Sequence, residues 1–117
     1  MEIYDIVKGL IASKKDFKYK VENGELIWED NRKLPSEDKL LKFINNNKII
    51  KNNKKNIKTL QESLNNTDWI VTKITEAQLE DEELAQELKE KYSDILTKRK
   101  EQRKEINILQ GEIDELS

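Results

Sequence analysis

Carboxylates are the one group in this chain abundant enough to do chemistry. Twenty-four of the 117 residues are Asp or Glu, set against 22 Lys or Arg, for a net charge of −2. Acid–base pairs are the reaction such a composition could support. The run Glu80-Asp81-Glu82-Glu83 is the densest place for a pair, or for a divalent cation. Calcium loops, however, need glycine and alternating ligands, and this run has neither. The competing reading is a helix start, where acidic residues meet the positive end of the helix dipole. Neither histidine nor cysteine is present, so imidazole triads, thiolate nucleophiles, disulfides and zinc sites built on those ligands are excluded. There is no Gly-rich phosphate loop, GxSxG or HExxH motif either. The residue chemistry predicts a protein that is not an enzyme and holds no cofactor and no metal.

The second charged feature is the lysine–asparagine tract from Lys42 to Lys58. Between Ser36 and Asn66 seven lysines face only Glu37, Asp38 and Glu62. Phosphate backbones are one conceivable partner. The tract has no arginine and only Phe43 as an aromatic, and the balanced global charge argues against nucleic acid. A solvated face, or one paired with the acidic Glu76–Glu90 segment, is the expected role.

Such groups need elements to position them. Three glycines and one proline predict long uninterrupted helices. Ile3, Ile6, Val7, Leu10 and Ile11 recur at helical spacing, predicting a short amphipathic first helix. Phe17, Tyr19 and Val21 alternate with polar residues, Asn23-Gly24 follows, and Leu26, Ile27 and Trp28 come next. That is a hairpin with a type I′ turn, for which Asn and Gly tolerate the positive φ required. A lone hairpin is unstable, so its apolar face needs a cover.

Pro35 then breaks the pattern, Ser36 is placed to cap a helix, and Glu37 and Asp38 suit its first turn. This helix is expected to reach about Leu64, with a break or looser stretch between Asn45 and Lys55, because asparagine competes with the backbone for hydrogen bonds. Thr67 reads as the cap of a further short helix opened by Trp69. From Glu82 onward the chain reads as helix. Tyr92, Ile95, Arg99, Gln102, Ile106, Leu109, Ile113 and Leu116 follow a strict 4-3 repeat. The repeat fits a two-stranded coil between copies or packing within the chain. Trp28 and Trp69 are core residues or interface anchors.

The fold expected is mainly α (α+β): an N-terminal helix and small β-hairpin over residues 1–35, then a helical-hairpin or coiled-coil region over residues 36–117 with a long C-terminal helix. No apolar run approaches the ~20 residues of a membrane span, and the N-terminus lacks a signal-peptide core, which predicts a cytoplasmic protein.

Two stretches together resemble the small tail-fibre assembly chaperone-like proteins of phages and phage-like particles, including the XkdW-like group of defective prophages. In NGELIWEDNRKLPSEDKL the matching residues are Gly24, Ile27, Trp28, Pro35, Ser36, Glu37 and Leu40. In LNNTDWIVTKITEAQLE and YSDILTKRKEQRKEIN they are Leu64, Thr67, Asp68, Trp69, Glu76, Tyr92, Arg99, Arg103, Ile106 and Asn107. The Thr-Asp-Trp piece is the most specific. The resemblance implies a non-enzymatic role in building a trimeric tail fibre, acting on the tail-fibre (receptor-binding) protein in the cytoplasm of the producing cell or residing in the particle. The N-terminal amphipathic helix and the Lys/Asn-rich stretch depart from the family pattern and leave those two roles open. A small regulator that binds a host protein is a third reading.

The expected partner-binding residues are Tyr19, Ile27 and Trp28 on the hairpin, with Trp69. The C-terminal helix adds Tyr92, Ile95, Arg99, Arg103, Ile106, Leu109 and Ile113. The hairpin edge would extend a partner's sheet. The C-terminal seam would serve self-association into a homo-oligomer, or a helical partner. No membrane partner is expected.

Overall fold

A computed structural model describes all residues from Met1 to Ser117. The chain is mainly α, with four helices and one antiparallel hairpin: α1 (Ile3–Ala12), β1 (Tyr19–Glu22), β2 (Glu25–Trp28), α2 (Glu37–Glu80), α3 (Glu82–Lys91) and α4 (Ser93–Leu116). It divides into two compact units, Met1–Lys51 and Asn52–Ser117, and the change of unit lies inside α2.

In the first unit, α1 forms where the helical stripe predicts it. Its face of Gly9 and Leu10 is buried, together with Leu40 and Ile44 of α2. The approach is close. A Cβ on Gly9 would lie 2.8 Å from Leu40 Cβ and 3.1 Å from the Leu40 carbonyl oxygen. Glycine here lets two helix backbones nearly touch. Lys14 ends the element in left-handed backbone, φ 56°.

The hairpin pairs Tyr19 with Trp28, Lys20 with Ile27, Val21 with Leu26 and Glu22 with Glu25. Asn23 and Gly24, at φ 51° and 76°, make the expected turn. Its cover comes partly from its own outgoing chain. Arg32 lies 4.4 Å above the Phe17 ring, and Phe17 and Trp28 are 5.5 Å apart. Trp28 Nε1–H donates to the Arg32 carbonyl at 2.8 Å.

Ser36 caps α2 as expected, its Oγ accepting from the Lys39 amide at 3.3 Å. Beyond that point α2 corrects three expectations. It does not break between Asn45 and Lys55. It does not end near Leu64. It does not restart at Thr67, since one helix of 44 residues runs through to Glu80. Thr67 turns its hydroxyl to the Ser63 and Leu64 carbonyls of its own helix, and so caps nothing. Trp69 lies in mid-helix. One of the Asn residues of α2 is put to use. Asn53 is buried, and its amide donates to the Leu109 carbonyl at 3.3 Å and to Glu112 Oε2 at 2.8 Å.

In the second unit, α2 and α4 form an antiparallel helical hairpin. Residues 53, 63 and 67 of α2 meet residues 112, 102 and 99 of α4 in that order. The helix expected from Glu82 to the end is interrupted at Tyr92, where the backbone leaves helical geometry (φ −105°, ψ 18°). The short α3 folds there over the end of α2. Ile70, Ile74, Ala77, Ala85 and Leu88 make this unit's buried cluster, with Tyr92, Ile95 and Leu96 against it.

Candidate interaction surfaces

The acidic run resolves into a helix start. Asp81 caps α3, its carboxylate accepting from the amides of Glu83 and Leu84 at 3.1 and 3.3 Å. Glu82 and Glu83 fill the first turn, where the dipole favours them.

The 4-3 repeat faces inward. Every member from Tyr92 to Leu116 is buried or half-buried, and Arg99 and Ile113 are the most enclosed. The facing helix is α2 of the same chain. The polar members that interrupt the repeat are latches: Gln102 donates to Ser63 Oγ at 2.8 Å. Arg99 donates to the Leu64 carbonyl and Thr67 Oγ1, and its Nη2 pairs with Asp68 at 2.7 Å. Its Nε is buried without a partner. Ile95, Ile106, Leu109 and Ile113 thus line a seam already filled within the chain, while Arg103 is exposed and lies outside it.

This arrangement also gathers the Leu-x-x-Thr-Asp-Trp piece. Leu64, Thr67 and Asp68 all bond Arg99, and Trp69 stands edge-on to Tyr92 with ring centroids 5.7 Å apart. Trp69 is 54% exposed, so it is not a core residue. The lysines at Lys54, Lys55 and Lys58 form no ion pair with the acidic Glu76–Glu90 face.

On the hairpin, Tyr19 and Trp28 are half-buried and share one face, whereas Ile27 lies on the opposite face, at its edge of exposure. Both outer strand edges are unpaired, because the sheet has two strands only. The anchoring polar knot is Asp30 with Arg32, which sequence reasoning missed. Arg32 Nε and Nη2 reach the two Asp30 oxygens at 2.8 Å each, and Nη2 also donates to the Asp16 carbonyl. The amides of Lys18 and Arg32 donate to the same carboxylate, at 2.7 and 2.9 Å. These bonds, the Arg32 side chain first, hold the Asp30 carboxyl well below the ordinary value of 3.8 and raise the Arg32 guanidinium. The signal for it was the Asp30-x-Arg32 spacing two residues after Trp28, whose N–H needed an acceptor.

Three open hollows lie in the first unit; Asp16, Glu29 and Asp30 line one of them, and no carboxylate lines the other two. The larger of those two, about 630 Å³, has Phe17, Leu34, Pro35 and Phe43 as its floor and Lys15, Arg32, Lys33 and Lys39 around it. The other, about 400 Å³, runs between α1 and α2. Tyr4, Val7, Ile11 and Ile44 are its apolar wall, and Lys8, Lys48 and Lys51 stand at its rim. Tyr4 and Ile11 are 73% and 67% exposed. Sequence reasoning placed Ile11 on the packed face of α1 and passed over Tyr4. A stripe too wide for one neighbour was the available signal.

No protein-family model, curated protein or solved structure was found to match this chain. No helix is long and apolar enough to cross a membrane.

Proposed function

We propose that this chain is a non-enzymatic phage or phage-tail-like-particle protein that assists folding and assembly of a tail fibre by covering exposed polypeptide surface. The observation that carries the reading is the division of labour between its two units. The second unit closes on itself through the Arg99, Gln102 and Asn53 latches. The first unit leaves unpaired strand edges and an apolar hollow walled by exposed Tyr4 and Ile11. Unpaired edges and exposed apolar side chains are the features that recruit another chain. The resemblance over residues 23–107 supplies the tail-fibre partner, and the producing cell's cytoplasm is where such a protein would act.

Co-expression with the neighbouring fibre gene tests the proposal. The expected result is more soluble fibre and co-purification of the two proteins. Unchanged fibre yield with no co-purification would count against it. Mass spectrometry of purified particles distinguishes a released chaperone, which is absent, from a resident component present in stoichiometric amount.

A further inference from the structure

The hollow between α1 and α2 is apolar inside and cationic at its rim, and one segment of the same sequence has the opposite character. Lys8, Lys48 and Lys51 have no ion-pair partner. In the second unit, Leu79 stands at the end of α2 with 85% of its surface exposed, the highest value among the chain's large hydrophobic residues. Leu84, at the start of α3, is 44% exposed. Glu76, Glu80, Glu82 and Glu83 surround these two leucines in sequence, are exposed, and form no ion pair. Asp81 is the α3 cap, and Glu82 and Glu83 stand in the first turn of that helix with their carboxylates unpaired.

We propose that the α1/α2 hollow of one copy receives the acidic α2–α3 turn of a second copy, with Leu79 against Tyr4 and Ile11 and the turn's glutamates facing Lys48 and Lys51. Removal of apolar surface from water drives such a contact. The opposed charges set its register and make it salt-sensitive. It joins two different patches, so copies associate head to tail, into rings or open chains. It leaves the α4 seam to α2 of the same chain. It fills the hollow that the tail-fibre reading counts among the exposed surfaces, and sedimentation of the chain alone tests it separately from that reading.

Sedimentation of the full-length chain, from about 10 μM to about 1 mM, tests this. At low ionic strength the average mass should climb above the 13.9 kDa of one chain as concentration rises. It should fall back at about 0.5 M salt, where the Debye length shrinks to a few ångströms. Leu79→Lys alone and the pair Lys48→Glu with Lys51→Glu should each give monomers. Their circular dichroism should be unchanged, because all three side chains are exposed. An equimolar mixture of the two variants should form dimers and stop there, because only one intact hollow meets one intact turn. A wild-type chain that stays monomeric throughout would overturn the proposal. So would association that survives both variants, or a mixture that stays monomeric. Association lost in Ile106→Asp but kept by the hollow and turn variants would place the interface on α4 and overturn it equally.

Discussion

Arg99 of α4 and Asp68 of α2 close an ion pair of 2.7 Å across 31 residues of sequence, with the Arg99 side chain only 8% exposed and that of Asp68 58% exposed. The asymmetry decides which partner matters. Asp68 keeps its water when the pair is broken, whereas the guanidinium fills space between two helices and also serves the Leu64 carbonyl and Thr67. Arg99→Ala is expected to destabilise the second unit by about 2–4 kcal/mol. Asp68→Asn should cost about 1 kcal/mol or less. Urea unfolding of both variants measures the difference, and equal costs would contradict the asymmetry.

Gly9 and Gly111 should respond oppositely to alanine. Both lie in helices, where alanine is favoured by about 1 kcal/mol. A Cβ at Gly111 meets nothing within 4 Å, so Gly111→Ala should raise stability by about that amount. At Gly9 it meets Leu40 backbone and Cβ, which cannot swing aside. Gly9→Ala should lower stability by about 1–3 kcal/mol despite the better propensity. Thermal unfolding of the pair reads both signs.

Trp69→Ala should behave as a surface change. Its ring is half in water and has Tyr92 edge-on as its aromatic neighbour. The expected loss is about 1 kcal/mol, against about 3–5 kcal/mol for a buried aromatic. A loss in the upper range in chemical denaturation would mean the ring is a core residue after all.

Ile106→Asp places a carboxylate on a seam that α2 already covers. The expected outcome is loss of about 2–4 kcal/mol from the helical hairpin of the second unit. The cost should appear in urea unfolding at concentrations where the chain is monomeric.

Asp30 gives the first unit an acid limit. Its folded-state pKa lies below the unfolded value, chiefly because the Arg32 side chain donates to it. A depressed carboxylate stabilises fully above the unfolded value, and that contribution disappears as pH falls from there through the folded value. Stability of the hairpin region should therefore fall as pH drops below about 3.8. Asp30→Asn should flatten that dependence. Trp28 fluorescence in a Trp69→Phe background follows the correct unit, and an unchanged acid profile would refute the assignment.

Much of the local structure was legible in the sequence because local rules act over a few residues. Asn23-Gly24 fixed a turn, Ser36 a helix start, and the α1 stripe a helix. The 4-3 repeat marked the buried side of α4 residue by residue. What the repeat faces was not in the pattern, since a seam within one chain and a seam between two have the same spacing. The continuity of α2 was not local either. Asparagine and threonine disfavour helix by only tenths of a kcal/mol each. Those preferences are outweighed when Asn53 finds the Leu109 carbonyl and Glu112, and when Thr67 receives Arg99. The sequence by itself determined α1, the hairpin turn, the start of α2 and the inward face of α4. Only the tertiary structure decided that α2 runs on past Leu64, because the partners that hold it together lie 31 to 59 residues away along the chain.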